Sequence, residues 1–138
     1  MSIKMRVLVA SPKKKMLTLA NHIKLEFDLV PNAVDKIPPA YSCDKERIVI
    51  LALPAKQNTA TVNFCRELGK ARAANVAILI DGSAEDAASI KETIANAGAN
   101  VIDEVFCTKC GLPFLSGVKP EEKTALIEWV NRVVKELK

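Results

Sequence analysis

The run Arg47-Ile48-Val49-Ile50-Leu51-Ala52-Leu53 is apolar at every position after its arginine, and it constrains the fold more than any other stretch. A strand with one wet face alternates apolar and polar residues. A strand with no wet face must be covered on both sides, as in a parallel sheet layered between helices. Met5–Ala10, Val76–Ile80 and Val101–Phe106 read as further strands of the same sheet. The spacing between these runs is helical. Met16, Leu19, Ala20, Ile23 and Phe27 form one i, i+3/i+4 stripe, leaving His22 and Lys24 to solvent. Phe64, Cys65, Leu68 and Ala71 form a second, and Ala87, Ile90, Ile94 and Ala97 a third. Leu126, Ile127, Val130, Val133, Val134 and Leu137 form the last.

The boundaries carry their own signals. Pro54 ends a strand, Asn58 or Thr59 can cap the helix after it, and Ser83 with Asp86 approximates a capping box. Gly98 is a helix stop, and Pro120 opens the last helix with Glu121 and Glu122 near the positive end of its dipole. Asp28–Ala33 reads as a short edge strand, because Pro31, Pro38 and Pro39 exclude a central strand or a long helix. An irregular link through Tyr41, Cys43 and Asp44 follows it. The pattern predicts one α/β domain over residues 1–138, with five mainly parallel strands and helices on both faces.

Composition excludes several functional classes. No apolar run approaches the ~20 residues that span a bilayer, so no membrane association is expected. The first strand begins almost at Met1, which leaves no room for a signal peptide and points to the cytoplasm. A net charge of +4 spread along the chain, with 4% aromatic residues, does not make a nucleic-acid platform. His22 is the only histidine, which removes imidazole metal sites and His-dependent triads. No spacing of acids identifies a reaction.

In such a fold the carboxyl ends of the strands converge on one rim, where ligands bind. The rim loops are Ser11-Pro12-Lys13-Lys14-Lys15-Met16, Pro54-Ala55-Lys56 with Gln57 to Thr59, Asp81-Gly82-Ser83, and Cys107 to Leu112. Lys13, Lys14, Lys15 and Lys56 would make the crevice between the first two positive, suited to phosphate or carboxylate. As surface residues, the same lysines would only solubilise a loop. Cys107-x-x-Cys110 offers either a redox dithiol or half of a metal site. Cys43 and Cys65 do not complete a metal set, and no helix N-terminus follows the pair closely enough to activate a thiol. Two ordinary loop cysteines are the reading the spacing favours.

Five strands in this rhythm, with a ligand turn after the first, resemble the flavodoxin family. The strand order that this implies is 2-1-3-4-5, in a three-layer α/β/α sandwich. Val9 to Ala20 is similar to the family's strand, phosphate loop and helix start, Thr/Ser-x-Thr-Gly-Asn-Thr with an Ala four positions on. Ser11 stands at the first hydroxyl, Lys13, Lys14 and Lys15 replace the Thr-Gly-Asn centre, Met16 replaces the last Thr, and Ala20 matches the helix Ala. Gly98 to Gly111 is loosely similar to the family's Gly-Ala…Phe-x-Cys-x-Gly region.

The resemblance implies FMN, bound by Ser11 to Met16, Pro54 to Lys56 and Asp81 to Ser83, and electron transfer with a redox partner protein. Two departures weaken that site. The phosphate loop has no glycine to let backbone N–H groups close on an anion, and residues 54–59 offer no aromatic ring. FMN affinity is therefore expected to be weak or absent, and any that survives should depend on Lys13, Lys14 and Lys15. The alternatives are a non-catalytic small-anion or partner-binding module on the same fold, and a thiol-redox protein using Cys107 and Cys110.

Overall fold

The computed structural model describes residues 4–11, 13–30, 33–37, 43, 45–69, 72–111, 114 and 117–137. Pro12, Pro31, Pro38, Pro39, Tyr41, Asp44, Ala71 and Leu112, named above, lie outside them. Strand β1 (Met5–Val9) leads into α1 (Lys14–Glu26), then β2 (Val34–Lys36) and β3 (Glu46–Pro54). Helix α2 (Thr59–Arg66), β4 (Ala73–Asp81), a 3-10 turn (Ala84–Ala87) and α3 (Ala88–Ala97) follow. Strands β5 (Asn100–Val101) and β6 (Phe106–Thr108) and helix α4 (Pro120–Lys135) complete the order.

Every pairing among the described residues is parallel. The strands lie in the order β2-β1-β3-β4-β5, with β6 also paired to β4. This is the expected 2-1-3-4-5 sheet, with the strand of the apolar run, β3, between β1 and β4.

The period-two alternation of the central strands builds two cores. Val7 and Val9, Ile48 and Ile50, and Leu79 face α1 and α4, whereas Leu8, Val49, Leu51 and Ile78 face α2 and α3. Burial of each such side chain contributes about 1.5–3 kcal/mol. Met16, Leu19, Ala20 and Ile23 are buried as their stripe requires, with Phe27 packed at its end. His22 is half-buried rather than simply solvent-facing, and its imidazole is held below its ordinary value by that burial and by Lys123. No helix among the described residues is long and apolar enough to cross a membrane.

Three expectations are corrected. The edge strand is Val34–Lys36, not Asp28–Ala33. Residues 27–29 are used to end α1: Asp28 takes a left-handed φ of 51°, and the Leu29 N–H returns to the Lys24 carbonyl at 3.0 Å. That is the geometry usually given to glycine at a helix C-terminus, here supplied by Asp.

The fifth strand is interrupted. Val101 pairs with Val76 and Phe106 with Leu79, so residues 102–105 bulge out between two short pieces. Finally, Trp129 joins Leu126, Val130 and Val133 as a fully buried residue of α4, while Ile127, Val134 and Leu137 are only half-buried. The Trp129 ring packs on Phe106 at 5.6 Å, and its indole N–H donates to the Glu104 carbonyl at 2.9 Å. Gly98, by contrast, ends α3 as expected, with φ 108°.

Candidate functional site

The carboxyl ends of β1 and β3 flank the point where the chain reverses its winding, between β2-β1 and β3-β4-β5. The turn after β1 is short. The Ala10 N–H still bonds the Ala52 carbonyl at 2.9 Å, and Lys13 is already the N-cap of α1. The Ser11 hydroxyl accepts the Lys13 N–H at 3.2 Å. Lys13 makes no side-chain cap, and no acid stands in the first turn of α1. The Met16 N–H is spent on the Lys13 carbonyl and its side chain lies in the core, so the first-turn N–H groups without a partner among the described residues are those of Lys14 and Lys15.

The other helix starts on this rim are occupied. Asn58 caps α2 by accepting the Thr61 N–H at 2.8 Å. Ser83 and Asp86 form the expected capping box, although on the 3-10 turn that precedes α3. Helix α4 begins with Pro120 and carries Glu121 and Glu122 in its first turn. Among the described residues, only α1 of these starts has neither a side-chain cap nor an acid in its first turn.

The three lysines separate in role. Lys13 reaches over the end of β3 to β4, donating from Nζ to Asp81 Oδ2 at 3.0 Å and to the Cys110 carbonyl at 3.4 Å. Asp81 Oδ1 accepts the Cys110 N–H at 3.0 Å, so both its oxygens are engaged. Lys15 pairs with Glu122 at 2.8 Å and donates to the Lys109 carbonyl at 3.0 Å. Lys14 and Lys56 are exposed and have no partner among the described residues. Two of the four cations assigned to a positive crevice are thus neutralised. The residue pattern places Asp81 in a rim loop and among the implied flavin-binding residues, but pairs neither Asp81 with Lys13 nor Glu122 with Lys15. The available signal was that Lys13 and Asp81 both sit at strand ends of one rim.

The remaining loops are self-contained. Ala55 and Lys56 are exposed, and the Gln57 amide closes their bend by donating to the Pro54 carbonyl at 2.7 Å. Gly82 has φ 152°, and a Cβ there would run into the Asp86 carboxylate and the Ala55 methyl. Glycine is required at this position. Phe106, Thr108 and Cys110 turn toward the α1/α4 layer, where the Thr108 hydroxyl donates to Glu122, whereas Cys107 is exposed. Cys107 is exposed, whereas Cys110, in the loop after β6, packs against the α1/α4 layer, a separation that is unfavourable for a disulfide. Burial, and then Asp81, push the Cys110 thiol up to about 11, which also opposes a thiolate. No group of His, Cys, Asp and Glu among the described residues could hold a metal ion.

Asp81 and Glu122 make the rim sensitive to acid. Burial alone would raise both carboxyls. The Cys110 N–H and Lys13 outweigh it at Asp81, and Lys15 and Thr108 outweigh it at Glu122, so both lie below their ordinary 3.8 and 4.5. As pH falls past those values the unfolded chain takes up protons that the folded one still resists. The stability from these groups is full above about pH 5 and is lost as pH falls through the lowered values. Urea midpoints between pH 6 and pH 2 should fall in the wild type and flatten in an Asp81→Asn, Glu122→Gln variant. Equal slopes would show that these pairs carry no stability.

These features define an open, doubly wound, parallel α/β protein whose topological switch point lies between β1 and β3. A comparison with solved structures gives the fold its name. The chain is similar to the crystal structure of oxidised flavodoxin 1 from Bacillus cereus, with a TM-score of 0.70 and 17% identity, over 97% of this chain and 99% of that one. The fold is flavodoxin-like. No protein-family model matches the sequence, and a search of curated proteins finds no match.

Proposed function

We propose that this protein is a flavodoxin-fold module that seats a small anionic ligand on the first turn of α1 and holds FMN weakly. The observation that carries this reading is the uncovered start of α1, with the Lys14 ammonium exposed beside it and no acid in its first turn. The residues present suit the phosphate of FMN and not its ring. Residues 54–59 bring no aromatic side chain, and Asp81 brings a carboxylate to the same rim. Stacking worth about 0.5–1.5 kcal/mol beyond buried area is therefore missing at that loop. A cytoplasmic setting accords with Cys43, Cys65, Cys107 and Cys110 all being free thiols. The fold shared with a flavodoxin favours a second reading, electron transfer to a redox partner protein through weakly held FMN.

Titrating FMN into the protein and following flavin fluorescence tests both. Weak quenching that fades with added salt is expected. Lys14→Gln should weaken it further at low salt, more than Lys15→Gln, because Lys15 is already paired with Glu122. Tight, salt-insensitive quenching would reverse the order and put the electron carrier first.

A further inference from the structure

The Lys13 side chain does more than pair a charge. It crosses from the end of β1 over the end of β3 to the end of β4, and it also bonds the chain just after β6. Its two contacts and the Cys110 N–H on Asp81 tie three segments into one closed bridge. The Asp81 side chain is only 12% exposed and that of Lys13 only 30%. This bridge spans the rim at the switch point, from the loop after β1 to the loop after β4.

We propose that the Lys13–Asp81–Cys110 bridge is an autoinhibitory strap, which closes the switch-point crevice until an anionic ligand draws Lys13 away from Asp81. The inference rests on the anion site proposed above and adds its regulation. An entering phosphate meets a carboxylate that repels it and an ammonium already committed to that carboxylate. Once Lys13 swings from Asp81 to the ligand, the same ammonium joins Lys14 and the α1 N–H groups as a donor. Apparent affinity is then the intrinsic affinity reduced by the fraction of molecules with the strap open.

Cys110 is a built-in reporter, since its N–H and carbonyl are both part of the strap and Asp81 helps to keep its thiol protonated. The test uses Cys107→Ser as background, because Cys43 and Cys65 are buried. In that background Asp81→Asn should speed the reaction of Cys110 with an aromatic disulfide reagent. If the strap is open in about a tenth of wild-type molecules, Asp81→Asn should also bind FMN about tenfold more tightly. Lys13→Gln, which opens the strap but removes the cation, should speed Cys110 without tightening FMN.

Inorganic phosphate, followed by the amide resonances of Lys14 and Lys15, separates the two claims. Equal phosphate response in wild type and Asp81→Asn overturns the strap alone. No response in any variant overturns the anion site and the strap with it. Unchanged Cys110 reactivity in Asp81→Asn also overturns the strap.

Discussion

Trp129→Ala is expected to lower the unfolding free energy by about 3–5 kcal/mol, a large share of what a domain of this size has. The indole is fully buried on α4 and stacks at a tilt on Phe106. Its N–H holds the Glu104 carbonyl, so it fixes the bulge of residues 102–105 as well as filling the core. Truncation leaves a cavity between α4 and β6 and frees the bulge together. Trp129→Phe keeps most of the bulk and removes only the donor, so it should cost roughly 1–3 kcal/mol, the cost of an unpartnered carbonyl plus some lost packing. Urea unfolding of both variants measures the difference. A loss below about 1 kcal/mol for the alanine would mean that the bulge closes over the gap.

The second large effect is on the opposite face of the sheet. Leu51 lies at the centre of β3, fully buried, and packs with the side chains of α2 and α3. β3 is flanked by β1 and β4 through five and eight register pairs respectively, so its backbone cannot shift to fill a void. Leu51→Ala should therefore sit in the ordinary range for a rigid core, about 2–5 kcal/mol. The exposed Leu25 provides the control: Leu25→Ala should stay within about 0.5 kcal/mol of the wild type. Similar losses at the two positions would contradict a core packed on both faces of β3.

Both residues show what pattern alone conveys. Strand β3 was legible because an unbroken apolar run has no other use, and its burial follows directly. Trp129 also fits the helix spacing, three positions after Leu126 and four before Val133, although the stripe read from the aliphatic residues leaves it out. The helix end at Asp28 was hidden because the residue in the left-handed position is not glycine. At the rim, residue types located the loops and not the pairings. Ion pairs such as Lys13–Asp81 join segments 68 positions apart, and only the sheet order brings their strand ends together. A run of lysines thus reads as a positive crevice until the acids opposite them are known.

The interrupted fifth strand bears on how the protein behaves in a crowd. Its bulge projects Asp103 and Glu104, the first held by Lys91 of α3 and the second by a two-pronged bond from Arg132 of α4. On either side of it the outer strands offer only two and three residues in line. The opposite border, β2, is equally brief and ends in Asp35 and Lys36. A foreign strand needs a long, straight, uncharged row of backbone groups to add to, and among the described residues neither border presents one. The same residues that break the ladder therefore guard the open sheet against templated self-association.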